Sequence, residues 1–189
     1  MNPVFIIESI RTPRARANAK GGLFKLNPYE LLDVLYKDIA NKNFLNLNEL
    51  DEVILGCVTQ HGEQAGNIAK SSSLFSGYPD SISGLTVNRF CSSSLDAINL
   101  GYLKIQSQQA ENIIAGGVEM MSRVPMLSDG AVIWTNLAIA SQAKIFLMGS
   151  GADLIASLYK ISRNDVDAQA LKSQQRAVAA QENDFFKSI

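Results

Sequence analysis

Cys91 stands in T-V-N-R-F-C-S-S-S-L (86–95), between an apolar strand-like run and a long apolar helix-like run. A thiol at the start of a helix faces unpaired backbone N–H groups and the positive end of the helix dipole. Both favour the thiolate, which is the nucleophilic form. A free cysteine is also commonly a small buried hydrophobe, and position alone leaves both readings open. Cys57 lies inside an apolar strand-like run, where burial raises a thiol's pKa. His61 is the only histidine of the sequence, and a lone loop histidine is more often structural or exposed than catalytic. Gly116–Gly117 follows a strand-like run but lacks the G-x-G-x-x-G spacing of a dinucleotide site. Close backbone packing beside the Cys91 turn is the better reason for two glycines there. Arg11, Arg14, Arg16 and Lys20 cluster without interleaved aromatics and read as a solvated loop rather than a nucleic-acid surface.

The surrounding segments resemble the thiolases, which condense or cleave acyl groups on coenzyme A. R-T-P-R (11–14), G-G-L-F (21–24), G-C-V-T-Q (56–60), G-E-Q (62–64) and G-N-I-A-K (66–70) occur in the family's order. V-N-R-F-C (87–91), I-A-G-G-V-E-M-M-S-R-V-P-M (114–126), S-D-G (128–130) and M-G-S-G-A-D-L-I-A-S (148–157) follow. S-R-N-D-V-D-A-Q-A-L-K-S-Q-Q-R-A (162–177) completes the series. The resemblance implies that Cys91 takes the acyl group as a thioester. It aligns Met148 with a methionine lining the acyl pocket, although a core-filling role is equally open. Thiolases usually carry C-x-S-G at the nucleophile, and Ser94 stands here in place of that glycine. A positive φ at Ser94 would cost about 1–3 kcal/mol, and a negative φ very little.

A thiolase also has a second, similar half. That half bears a Gly-His-Pro segment whose histidine activates the nucleophile, an Asn-Glu-Ala-Phe-type segment, and a Cys-x-Gly segment supplying a second acid/base. None of these segments occurs here. Cys91 therefore has no visible base in its own sequence, and nucleophilic catalysis needs one within hydrogen-bond reach or another source of activation.

Alternating elements must position the cysteine. Strand-like runs are expected at Val4–Ile10, Val53–Val58, Leu85–Phe90 and Asn112–Ala115. Helices are expected at 27–40, Asn67–Phe75, Ser93–Gln108, Gly151–Tyr159 and from Ser162 to about Asn183. Asn27 and Ser162 suit N-caps, Pro28 suits the first helical position, and Asp165 sits at capping-box spacing from Ser162. Strands separated by helices imply an α/β fold. The resemblance makes it thiolase-like: a mainly parallel mixed sheet with helices on both faces, one half of a layered αβαβα arrangement. Two domains are expected: 1–122 as an N-terminal half lacking its last strand, and 123–189 as part of the inserted loop domain.

Composition narrows the function. An apolar content of 47% with 19% charged residues suits a packed domain and excludes disorder. A net charge of −1 gives no reason to expect nucleic acid or an anionic membrane as partner. Two cysteines outside any CxxC or CxxH pattern argue against a zinc site or a disulfide framework and suit a reducing compartment. The apolar start is too short for a signal peptide and is broken by Glu8, so a cytoplasmic location is expected. The resemblance to thiolases implies thiolase-type acyl transfer, forming or cleaving a 3-ketoacyl-CoA through a cysteine thioester. Coenzyme A thioesters are the substrates, no metal or redox cofactor is needed, and a homo-oligomer or a C-terminal half is the expected partner. One alternative is a β-ketoacyl synthase-like condensing enzyme, suggested by C-S-S-S-L; the other is a non-catalytic remnant that binds coenzyme A or dimerises.

Overall fold

The computed structural model describes residues 3–42 and 44–186. Two compact units emerge, Met1–Ala131 and Val132–Ile189.

The first unit is built on three parallel strands, β1 (Glu52–Gly56), β2 (Ser83–Val87) and β3 (Ile113–Gly117), in the order β2-β1-β3. Glu52 to Gly56 pair in register with Ser83 to Val87 on one side and with Ile113 to Gly117 on the other. Central β1 is buried along its whole length, which explains its unbroken apolar reading. Its alternating side chains feed two layers. Val53 and Leu55 join Cys57, Leu32, Tyr36, Ile68 and Ala69 in the main core. That core packs α1 (Pro28–Ala40) and α2 (Ile68–Phe75) on one face. The Ile54 and Gly56 face carries α3 (Ser93–Gln106), whose backbone reaches the Gly56 position. Helices therefore cover both faces, as the α/β reading requires.

Local chemistry sets the helix ends. Asn27 Oδ1 accepts from Glu30 N at 3.0 Å, while the Glu30 carboxylate accepts from Asn27 N at 2.7 Å, a full capping box with Pro28 at the first helical position. Asn67 caps α2 from a left-handed conformation, φ 54°. Helical spacing puts Leu31, Leu32, Leu35 and Ile39 on one apolar stripe of α1; of these Leu32 is buried, together with Pro28 and Tyr36. The Tyr36 hydroxyl lies 3.2 Å from Ser72 Oγ and is pushed up to about 12 by burial.

Val4–Ile10 does not form the expected strand. The segment has no regular secondary structure, joins no ladder, and leaves Phe5 and Ile6 73% and 83% exposed. Its β-prone composition lacks what a strand requires, a neighbouring edge in register. The α3 sequence is apolar nearly all round, with Leu95, Ile98, Tyr102 and Ile105 marking one face, and one face left uncovered is expected of this half alone. The face turned to the sheet is the small-residue row Ser93, Ala97 and Gly101, while Leu95, Ile98, Tyr102 and Leu103 are exposed. The small row is what lets the helix lie close against the strands: a Cβ on Gly101 would stand 3.3 Å from Ile113 Cγ2.

The second unit is helical: α4 (Val132–Thr135), α5 (Leu137–Gln142), α6 (Met148–Leu158) and α7 (Arg163–Glu182). Asn136 caps α5 through its side chain. The expected capping box at the start of α7 is present, with Asp165 N donating to Ser162 Oγ at 3.2 Å and Ser162 N to Asp165 Oδ2 at 3.0 Å. Arg163 and Asp167 pair one turn apart at 2.8 Å.

Candidate active site

Parallel sheets bind ligands in the crevice outside the carboxyl ends of their strands, at the point where successive connections leave toward opposite faces. Here β1 leads to α2 on one face and its neighbour β2 leads to α3 on the other. The crevice is therefore framed by residues 57–60 and 88–91. Cys91 lies in it, exposed, one residue before the N-cap Ser92 of α3.

The turn that presents Cys91 is strained and closely held. Phe90 adopts φ 48°, a left-handed conformation that costs a bulky residue about 1–3 kcal/mol and persists only where the surroundings fix it. Asn88 Oδ1 accepts from Phe90 N at 2.8 Å. Buried Ser93 closes the other side: its Oγ accepts from Arg89 N at 2.9 Å and donates to the Phe90 carbonyl at 2.6 Å. Arg89 Nε meets Asp96 Oδ1 at 2.9 Å in the first turn of α3.

Two glycines admit this turn to the sheet. A Cβ on Gly56 would fall 2.4 Å from Ser93 C and Ser94 N, inside backbone that cannot yield. A Cβ on Gly117 would fall 2.0 Å from Ser94 Oγ. The expected close approach thus resides in Gly117 and Gly56, while a Cβ on Gly116 would meet only ordinary contact at 3.8 Å. Ser94 itself is helical, so its replacement of the usual glycine carries no positive-φ cost. Gly56→Ala is expected to destabilise the chain by at least the roughly 1–3 kcal/mol of an overpacked core. Denaturant unfolding checks it, and an unchanged midpoint would mean that α3 is free to move away from the sheet.

A second network supports the β1 and β3 ends of the crevice. The Glu119 carboxylate accepts from Val58 N at 2.8 Å and Thr59 N at 3.3 Å. Fully buried Gln64 donates to Glu119 Oε1 and to the Thr59 carbonyl, both at 2.9 Å, and accepts from Met120 N. Arg123 then ties two loops together, pairing with Glu63 through Nε at 2.7 Å and donating to the Phe24 carbonyl at 3.1 Å. The guanidinium holds the Glu63 carboxyl below its ordinary range. Asn88, Ser93, Gln64 and Glu119 all fall inside the quoted sequence segments, yet the sequence reading assigned them no role. Their pairings span as many as 61 positions and become visible only when the strands are assembled.

Cys57 is the chemical opposite of Cys91. It is buried, and burial followed by the nearby Glu119 charge pushes its thiol up to about 12. Iodoacetamide applied to the folded chain at neutral pH is expected to modify Cys91 and spare Cys57, since only the thiolate attacks. Peptide mapping reads the result; preferential modification of Cys57 would sink this assignment. Met148 is the first residue of α6 and 85% exposed, in the second unit. His61 precedes a short 3-10 turn at Gly62–Gln64 and makes no side-chain capping bond.

Comparison with known proteins agrees with this architecture. Residues 4–189 match the family described as Thiolase, N-terminal domain. A β-ketoadipyl-CoA thiolase of Pseudomonas putida is 39% identical, with 98% of this chain and 50% of that protein covered. A 3-ketoacyl-CoA thiolase of Bacillus subtilis is 36% identical, with 99% and 48% covered. The Bacillus anthracis acetyl-CoA acetyltransferase superposes with a TM-score of 0.70 at 30% identity, over 89% of this chain and 45% of that one. A thiolase of Ascaris suum, solved in complex with coenzyme A, superposes with a TM-score of 0.71 at 25% identity, over 90% and 47%. The chain spans about half the length of the curated relatives it matches. With the parallel sheet and the family match in agreement, the chain belongs to the thiolase N-terminal domain family.

Proposed function

We propose that this chain supplies the nucleophile half of a thiolase-type acyltransferase. Cys91 attacks the carbonyl of an acyl-CoA, expelling the coenzyme A thiolate, or the 3-keto carbonyl of a 3-ketoacyl-CoA, breaking the C2–C3 bond and expelling the acetyl-CoA enolate, and carries the acyl group as a thioester. The Cys91 N–H, with donors from a second half, stabilises the oxyanion that develops during attack, since the Arg89, Phe90, Ser92 and Ser93 N–H groups already bond within the turn. An enolate formed from acetyl-CoA then closes the carbon–carbon bond, or the sequence runs in reverse. Thiol, acid/base groups and coenzyme A as carrier suffice for this chemistry, so no metal or redox cofactor enters the proposal. Met148 is assigned to the acyl-binding surface.

The observation that carries the reading is the exposed Cys91 after a left-handed Phe90, at the carboxyl-end crevice of a parallel sheet and beside the N-terminus of a helix of 14 residues. The working assembly includes a partner over the exposed face of α3, either a second copy or a second half. No helix among the described residues is long and apolar enough to cross a membrane. Two unpaired cysteines suit a reducing compartment, and we place the working protein in the cytoplasm.

Complementation tests the proposal. The chain is mixed with the C-terminal half of a matched thiolase, carrying Gly-His-Pro and Cys-x-Gly segments, and thiolysis of acetoacetyl-CoA is followed. A rate that appears only with both pieces, and only with Cys91 intact, is expected. A stable complex of both pieces without turnover would favour a binding or dimerising role instead.

A further inference from the structure

The Asn88 side chain does two things at once. Its Oδ1 accepts the Phe90 N–H at 2.8 Å, inside the nucleophile turn. Its Nδ2 donates to the Val58 carbonyl at 3.1 Å, across the crevice on the loop that follows β1. One orientation of the amide satisfies both partners, because one must receive a proton and the other must donate it. The loop it grips is itself held: Val58 N and Thr59 N both donate to Glu119, beyond the end of β3. A continuous run of hydrogen bonds therefore leads from Glu119 through Val58 and Asn88 to the Phe90 backbone, next to the thiol.

From this geometry we infer that Asn88 is the positioning residue of the Cys91 turn, coupling the left-handed Phe90 to the loops after β1 and β3. Asparagine alone among residues of this size offers an acceptor and a donor on one short planar group. Alanine loses both bonds. Aspartate keeps the Phe90 bond but sets an acceptor against the Val58 carbonyl. Ser93 cannot substitute, since its hydroxyl is already committed to Arg89 N and the Phe90 carbonyl. Without Asn88, the unfavourable φ at Phe90 loses a support, and the turn relaxes toward ordinary backbone.

The inference rests on the reading of Cys91 as the activated nucleophile, and the test separates the two. Second-order rates of iodoacetamide labelling at Cys91 are measured for the folded chain, for Asn88→Ala and Asn88→Asp, and for the denatured chain, beside thermal unfolding of each. Tyr78→Phe serves as the stability control: it removes a buried bond from the Tyr78 hydroxyl to the Tyr36 carbonyl and makes no bond to the turn. The folded chain is expected to label Cys91 faster than the denatured chain. Asn88→Ala is expected to fall back toward the denatured rate by roughly threefold or more, as suits the loss of solvent-exposed hydrogen bonds of ordinary strength. Tyr78→Phe lowers the unfolding temperature and leaves the rate alone. If Asn88→Ala does not fold, a slower rate in Asn88→Asp carries the same result. Folded Asn88 variants that label at the parental rate overturn the positioning role while the nucleophile reading stands. A parental chain that labels no faster than the denatured one overturns the nucleophile reading itself.

Discussion

Purified alone, the 189-residue chain is expected to thiolyse acetoacetyl-CoA several orders of magnitude more slowly than a complete thiolase. Positioned acids and bases contribute roughly 10²–10⁴-fold each, and this chain offers neither of the two that the reaction needs. His61 stands at the start of the 62–64 turn and makes no side-chain capping bond there. Cys57 is a buried thiol whose pKa of about 12 unfits it for proton transfer near neutrality. On the proposed reading, what remains is the exposed Cys91 thiol in its turn. Steady-state thiolysis with Cys91→Ala as the blank measures the deficit. A Cys91-dependent rate in the family's ordinary range would show that a base has been overlooked.

The second large effect is expected at the outer face of α3. Leu95 and Leu103 are 59% and 57% exposed, with Ile98 and Tyr102 beside them. Phe90 and Cys91, just ahead of the helix, are exposed as well. Soluble chains seldom leave so much contiguous apolar surface in water. The chain is therefore expected to associate through this face at micromolar concentration, with a second copy or with the half it lacks relative to the curated thiolases. Leu103→Glu would place an uncompensated charge in that contact, a penalty of about 3–5 kcal/mol once buried and a loss of hundreds-fold or more in affinity. Sedimentation velocity of both forms decides it. A well-behaved monomer whose behaviour Leu103→Glu leaves unchanged would mean that the face stays solvated.

Much of this was legible in the amino-acid order because the signals were local. The caps at Asn27 and Ser162 each need only three following residues, and both formed as expected. The strand run at 53–58 announced a strand covered on both faces through unbroken apolar character, and β1 is buried throughout. Strand identity failed at Val4–Ile10 because pairing depends on an edge elsewhere in the chain, which composition does not reveal. The orientation of α3 was concealed by its own periodicity. The helix reads as apolar nearly all round, and only close approach to the sheet selects Ser93, Ala97 and Gly101 as its inner row. The Cys91 turn was visible as a motif, but its supports, Asn88 and Ser93 among neighbours and Glu119 from beyond β3, are relations of space. Ser94 illustrates the same limit: its helical backbone and its seat against Gly117 remove an objection that residue type alone had raised.

The central claim is that Cys91 accepts an acyl group from coenzyme A. Incubation of the folded chain with acetoacetyl-CoA or acetyl-CoA, in parallel with acetyl-acyl carrier protein, followed by acid quench and peptide mass spectrometry, tests it most directly. The account predicts an acetyl adduct on the peptide holding Cys91, from the coenzyme A donors, absent in Cys91→Ala and absent from Cys57. An adduct on Cys57, equal labelling after Cys91→Ala, or transfer from the carrier protein alone would contradict it.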